Sequence, residues 1–302
     1  MRIFMTGGTG FVGTTLGRQL VAQGHEVSIL TRNSASHRNS PGGANFIHGN
    51  PTEAGSWQTR AAEHDVFINL AGASIFRRWT QKAKTLMRES RLLTTRNLVA
   101  ALEGRKDKDT VLLSTSAVGY YGFQENEILD EGSPPGNDYL ANLAKDWETE
   151  ALRAEQVGVR VLICRFGIIL GRDGGALGQM LPLFRKGLGS ALGSGNQWFS
   201  WIHEQDLVNI FSFLLEQKTV SGPINLTAPE PVTNTVFTKA LGRALGRPTF
   251  LPSVPGFVLK MVKGEFGKLL LKGQRVIPKR LMDAGFRFQF PAVQHALNDL
   301  VR

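Results

Sequence analysis

The stretch RIFMTGGTGFVG, residues 2–13, decides the fold. Arg2–Thr6 is short and mostly apolar, the mark of a buried strand, and it stops at Gly7-Gly8. Phe11, Val12, Leu16, Leu20 and Val21 then recur at helical spacing, and Gly24 ends that helix. Glu26–Leu30 makes a second strand, so the opening is a βαβ unit. Gly8-Thr9-Gly10-Phe11-Val12-Gly13 fits G-x-G-x-x-G, and Gly7, Gly10 and Gly13 share a second, three-residue spacing. One glycine makes the tight turn, another lets backbone approach a pyrophosphate, and the last lets helix pack on strand. Free N–H groups and the helix dipole then hold the anion. A turn between strand and helix is the context this motif needs, so Gly7, Gly8, Thr9, Gly10, Phe11, Val12 and Gly13 are read as a dinucleotide-binding turn.

Further buried strands are expected at Val66–Leu70, Val111–Ser114 and Val159–Phe166, with helices at Thr80–Leu102 and Tyr139–Val157 between them. Alternation of this kind predicts an α/β fold built on a doubly wound parallel sheet. After Gly167 the chain becomes glycine-rich, with helices expected near Leu177–Lys186, Glu204–Gln217 and Val232–Leu245 and a strand at Ile224–Leu226. We therefore divide it into a dinucleotide domain, residues 1–166, and a smaller C-terminal α/β lobe, residues 167–302. Later segments of the lobe are expected to return to the first domain.

The end of the second strand selects the cofactor. An acid there would bind the ribose 2′-hydroxyl. The chain instead has Thr31-Arg32-Asn33 and no acid nearby, and the Arg32 fork suits a 2′-phosphate. NADP(H) is expected over NAD(H), although a loop arginine is also commonly just solvated. Leu70, Ala71 and Gly72 end another buried strand in small residues, which leaves room for ribose or pyrophosphate or simply makes a turn.

Composition narrows the classes. The chain has 302 residues, 42% hydrophobic and 20% charged, enough to bury a core without disulfides. Cys164 is the single cysteine, and a strand-core position makes it an inert thiol. A reducing, cytoplasmic setting is expected, with no signal peptide, no apolar run near ~18 residues and no membrane partner. The six histidines, at 25, 37, 48, 64, 203 and 295, lack ligand spacing, so no metal is expected. The net charge of +10 is unevenly spread. Residues 1–236 hold 23 basic and 22 acidic groups; residues 237–302 hold 12 and 3. The basic residues of that tail alternate with Phe257, Val258, Leu259, Met261 and Val262, as on a solvated face around a small core. Nucleic-acid binding is not expected, since no recognisable module accompanies the charge. An exposed Phe257–Leu271 surface would serve as a subunit or partner interface, which leaves homo-oligomerisation open.

Several motifs together resemble the extended short-chain dehydrogenase/reductase superfamily, and more closely its YfcH-like or SDR39U1-type epimerase family proteins. They are INLAG (68–72), RRWT (77–80), ESRLLTT (89–95), SAVGYYG (116–122), DWE (146–148), GRDGGALGQMLPLF (171–184), GSGNQWFSWIHEQDL (193–207) and GQRVIPKRL (273–281). The resemblance implies a Rossmann domain binding NADP(H), a small C-terminal lobe and an undefined small-molecule substrate. It adds Arg91 and Arg165 as cofactor-side residues. Read physically, Arg91 lies in a helix whose apolar face includes Leu86, Leu93 and Leu98, and a mid-helix arginine is usually at the surface. Arg165 ends a buried strand at the edge where ligands bind, and serves either as a ligand contact or as a structural ion pair.

The chain departs from the superfamily's usual Tyr-x-x-x-Lys pattern. Tyr139 is followed four positions on by Leu143, and Lys145 is six positions on, ~240° around a helix. Ala117 stands where the usual catalytic hydroxyl would be. Ser116, Tyr120, Tyr121 and Lys145 are the substitute candidates, with packing of both tyrosines at a strand end as the plainer reading. In the second lobe, Gly193–Trp201 is read as a loop able to close over a planar substrate. His203 is an acid/base candidate or, more plainly, a structural histidine at the start of the helix that follows, which Asp206 caps or anchors. The leading expectation is an NADP(H)-dependent oxidoreductase with a non-standard proton donor. Its rivals are a non-catalytic NADP(H) sensor or interaction protein and a nucleic-acid-associated protein.

Overall fold

The computed structural model describes residues 1–33, 42–103, 109–172 and 174–302. The chain runs β1 (Arg2–Thr6), α1 (Phe11–Ala22), β2 (Glu26–Thr31), β3 (Asn45–His48), α2 (Trp57–Ala61), β4 (Val66–Asn69), α3 (Gln81–Ala100) and β5 (Val111–Ala117). Then come β6 (Ile128–Leu129), α4 (Tyr139–Leu152), β7 (Arg160–Phe166), β8 (Ile168–Gly171), α5 (Gly175–Arg185), β9 (Trp198–Phe199), β10 (Trp201–His203), α6 (Glu204–Glu216) and β11 (Gly222–Leu226). The last part is β12 (Val232–Thr233), α7 (Asn234–Leu245), α8 (Gly256–Lys263), α9 (Glu265–Leu269), β13 (Arg275–Val276), α10 (Lys279–Asp283) and α11 (Val293–Leu300).

Seven strands form one sheet in the order β11-β7-β5-β4-β1-β2-β3, and every adjacent pair is parallel. A parallel sheet is covered on both faces, which is why its strands are near-continuous apolar runs. Alternate residues serve the two layers. Ile3 and Met5 pack with Leu16 and Leu20 of α1 and Phe211 and Leu214 of α6. Phe4, between them, packs with Trp57 of α2, Leu98 of α3 and Ala151 of α4. From β1 the chain builds outward through β2 and β3, then crosses back to β4. The strand order therefore reverses between β1 and β4, and the crevice beyond their C-terminal ends is where such sheets bind ligands.

After Phe166 the chain leaves this sheet, and it returns with α6 and β11, which pairs with β7 from Gly222↔Leu162 to Leu226↔Phe166. A second core gathers Leu177 and Phe184 of α5, Trp201 of β10, Phe237 and Leu241 of α7, and Leu297 of α11. The helix expected from Val232 begins at Asn234 instead. Val232 and Thr233 pair antiparallel with Phe199 and Trp198, and the Thr233 hydroxyl caps α7. β13 pairs with β6, tying the basic tail back to the segment after β5. Among the described residues no helix is long and apolar enough to cross a membrane.

Candidate functional site

The glycine turn is built as a backbone cradle. Gly7 has φ +69°, a conformation that side chains with a Cβ rarely adopt. A Cβ on Gly13 would lie 2.4 Å from the Gly7 carbonyl oxygen and 2.5 Å from Gly8 Cα, so the loop and α1 touch through backbone. The Thr14 N–H bonds the Gly10 carbonyl, and Gly10 offers no side-chain cap. The N–H groups of Phe11, Val12 and Gly13 are left without a partner among the described residues, aimed out of the first turn. The first turn of α1 itself holds no acid. The Phe11 ring packs over Gly171, Gly174 and Gly175, and a Cβ on Gly171 or Gly174 would collide with it. Val12 packs inward on the sheet, and Thr9 is exposed.

A buried polar chain fixes the floor of the crevice. The Thr6 hydroxyl donates to Asn69 Oδ1 at 2.7 Å, and Asn69 Nδ2 donates to Thr95 at 2.8 Å. Trp147 Nε1 donates to the same Thr95 hydroxyl at 2.9 Å. These bonds lock β1, β4, α3 and α4 together below Leu70-Ala71-Gly72.

Arg91 reaches this edge from α3. Its Nη1 donates to the carbonyls of Ala73 (3.1 Å) and Met87 (3.0 Å), and its guanidinium lies 5.1 Å from the Trp147 ring. A Cβ on Gly72 would sit 3.1 Å from Arg91 Cζ, so the glycine makes room for the arginine. Burial pushes the Arg91 pKa down to about 10, and no carboxylate pairs with it among the described residues. A half-buried cation without an acid beside an anion cradle is a place for a phosphate. The apolar face of α3 differs from expectation: Leu86 is exposed, while Met87, Leu92, Leu98 and Val99 are buried. Arg32 is exposed at the end of β2, beside Thr31, whose hydroxyl bonds the Asn33 backbone.

A second buried network occupies the row where Ser116, Arg165 and Asn225 are register partners across β5, β7 and β11. Arg165 Nε and Nη2 bind the two oxygens of Glu148 at 2.9 and 2.8 Å, a bidentate pair with both side chains under 10% exposed. The Ser116 hydroxyl donates to Glu148 Oε1 at 2.6 Å. Arg165 Nη1 donates to the Tyr121 hydroxyl at 2.9 Å, which donates to Asn225 Oδ1 at 2.7 Å. Burial alone would lower the Arg165 pKa, but the bonds and charge of Glu148 outweigh it and hold the guanidinium protonated. Burial raises Tyr121 to about 12 against the pull of Arg165. Tyr121 is fully buried and already both accepts and donates, so its phenol does not face the crevice. Tyr120 is half-buried, its ring centroid 3.5 Å from Arg165 Cζ.

The structure thus brings Ser116, Tyr120, Tyr121 and Arg165 together and leaves Lys145 out. Lys145 lies with Asn142, Asp146 and Thr149 on the exposed face of α4, opposite Ala141, Ala144 and Glu148. Tyr139 donates to the Lys84 carbonyl at 3.0 Å, and Leu143 packs with Leu92 and Trp147. Glu148, Asn69 and Thr95 stand in the sequence reading only inside DWE, INLAG and ESRLLTT, with no site role, although an acid one turn from Ala144 on an apolar helix face is a legible sign of a buried partner. Asn225, a polar residue inside a buried strand, is not singled out there.

In the second lobe, the Gly193–Trp201 loop is tied down. Gln197 Nε2 donates to the Leu192 and Leu270 carbonyls, Trp198 Nε1 donates to Asn126, and Arg275 stacks 4.5 Å from the Trp198 ring. His203 Nδ1 accepts the Gln205 N–H and caps α6, while Asp206 accepts the N–H groups of Gln289 and Phe290. Phe266 of α9 meets Phe76 and Trp79, and Trp79 meets Tyr139, forming an aromatic wall. Among the described residues no group of three or more His, Cys, Asp or Glu is arranged to hold a metal ion; His37 lies outside them.

Comparison with known proteins fits this arrangement. Residues 3–226 match the NAD dependent epimerase/dehydratase family, and residues 254–300 match a domain of unknown function, DUF1731. The chain is 40% identical to an epimerase family protein SDR39U1 homolog of Arabidopsis thaliana, over all of this chain and 87% of that one. It is 39% identical to the epimerase family protein YfhF of Bacillus subtilis, over all of this chain and 98% of that one. The crystal structure of human epimerase family protein SDR39U1, solved with NADPH, superimposes with a TM-score of 0.87 at 36% identity, over 99% of both chains. The chain belongs to the NAD dependent epimerase/dehydratase family, as an epimerase family protein of the SDR39U1 type.

Proposed function

We propose that the protein binds NADP(H) in the crevice above β1, β4 and β5 and acts as an oxidoreductase on a small molecule held between that crevice and the aromatic wall. The observation that carries the reading is the Gly7–Gly13 cradle facing Arg91, a cation with no acid beside it among the described residues. The human relative solved with NADPH supports the same choice of cofactor. The N–H groups of Phe11, Val12 and Gly13 would hold the pyrophosphate, with Arg91 neutralising it from the far side. Arg32 would grip the 2′-phosphate, and Ala71 and Gly72 would admit the ribose. When bound, NADP(H) supplies or accepts a hydride.

The chain must then hold or move one proton. Tyr121 is occupied by Arg165 and Asn225, Ser116 by Glu148, and Lys145 faces away. Tyr120 Oη remains as the proton-carrying atom, on a ring fixed face-on against Arg165. The Glu148–Arg165 pair would act on it by positioning.

A non-catalytic NADP(H) sensor is the second reading. It is favoured by Ala117 and Leu143 at the positions of the usual hydroxyl and lysine. NADPH oxidation over a panel of aldehydes, ketones and enones separates the two. Turnover lost in Tyr120→Phe and kept in Tyr121→Phe supports the oxidoreductase. Saturable NADPH binding without turnover on any compound favours the sensor.

A further inference from the structure

The basic tail carries an apolar surface that the proposed function does not use. Phe257, Met261 and Val262 of α8 are 67%, 77% and 65% exposed, and Phe250, just before α8, is 81% exposed. Phe257 and Met261 are four residues apart and share a helix face. Val258 and Leu259 are half-buried. The face is held firmly. A Cβ on Gly267 of α9 would lie 2.0 Å from the Leu259 carbonyl oxygen, so the two helices touch through backbone. Phe266 anchors α9 on Phe76 and Trp79.

The charge of the segment that carries this face is one-sided. The three acids of residues 237–302 are already engaged: Glu265 with Lys84, Asp283 with Lys279, and Asp299 near His203 and Arg172. Arg243, Arg247, Lys260, Lys268 and Lys272 are exposed and make no ion pair among the described residues. Lys260 flanks Phe257, three residues on along the helix, where its stem can follow the apolar surface and its ammonium reach outward. Two copies of this face set against each other would bring these cations together. A lipid surface with anionic headgroups offers the complementary charge, with apolar chains just beneath it for the aromatic and methionine side chains. Lying in an interface makes no demand for a membrane-crossing helix.

We propose that α8, with Phe250 and Leu251, is a peripheral docking face for an anionic phospholipid bilayer. The test is co-sedimentation of the full chain with phosphatidylcholine vesicles, with and without phosphatidylglycerol. The proposal expects partition about tenfold or more stronger on the anionic vesicles, falling as salt is raised. Phe257→Ser with Met261→Ser should weaken that partition about tenfold with the melting temperature unchanged, because both side chains are exposed. Lys260→Glu with Lys268→Glu should weaken it as much. The proposal is overturned if the chain fails to partition, if it partitions equally on neutral vesicles, or if neither pair of substitutions has an effect. A dimer in vesicle-free solution, split by Phe257→Ser with Met261→Ser, would assign the face to a second copy instead.

Discussion

Glu148→Gln probes the buried ion pair most directly. The substitution keeps the shape of the side chain but removes the charge, and its amide nitrogen replaces one of two oxygens that accept from Arg165 at 2.9 and 2.8 Å. Arg165, with a side chain only 4% exposed, becomes a buried cation facing an N–H donor. Breaking a buried pair in this way costs about 3–5 kcal/mol, because the remaining charge is left uncompensated. Unfolding entropy of about 2.1 cal/mol/K per residue makes 1 kcal/mol worth about 1.6 °C in a chain of this length. The expected loss is therefore about 5–8 °C, read by calorimetry and by the urea midpoint. Arg165→Met should cost a similar amount by stranding Glu148. The double variant should be less unstable than the sum of the two by about 3 kcal/mol, since neither charge is stranded. Two losses that simply add, or a loss under about 1 kcal/mol in Glu148→Gln, would refute the pair as a structural unit. Three of the five Arg165 N–H donors are already used within the protein, so NADPH affinity in Arg165→Met should stay within about threefold of the parent once folding is allowed for.

Gly13→Ala should lower NADPH affinity by about tenfold or more and destabilise the chain by about 1–3 kcal/mol, because the new methyl meets rigid backbone of Gly7 and Gly8; titration and melting check this. Burial brings His203 down to about 4 from an ordinary 6.5, against the pull of Asp299. The unfolded chain therefore binds a proton that the folded chain refuses, and stability is lost as pH falls from about 6.5 toward 4, by up to about 3 kcal/mol. His203→Asn keeps an oxygen to cap α6 and cannot titrate, so urea midpoints across that window should fall less steeply than in the parent. Cys164 is fully buried and its thiol is pushed up by burial, so a thiol reagent should react in denaturant and leave the native protein unlabelled over the same time.

The parts of the fold with strong local signals were readable directly. Residues 3–6, 27–31 and 66–69 are buried on both faces, so their apolar runs have no other use. The glycine turn was readable because its spacing reflects contacts that no side chain survives. Exposure along α3 was harder. Leu86 and Met87 are neighbours in a helical pattern, and tertiary packing buries Met87 while leaving Leu86 outside. The Ser116–Glu148–Arg165–Tyr121–Asn225 network joins four separate segments, and nothing local in any one of them announces the others. The placement of Tyr120 and Tyr121 depends on the 3-10 turn over Val118–Tyr121, which puts one ring in the core and leaves the other at its edge. Lys145 was separable from the site in principle, since it falls on the polar side of α4, but only once Glu148 is recognised as the inward-facing residue.

Binding of NADP(H) in the crevice is probed by a calorimetric titration of NADPH and NADH against the parent, Arg32→Ala and Arg91→Met. NADPH should bind saturably and about tenfold or more tighter than NADH. Arg32→Ala should erase most of that preference with little change for NADH, and Arg91→Met should weaken both. Equal affinity for the two nucleotides, no saturable binding, or binding untouched by either substitution would contradict the account.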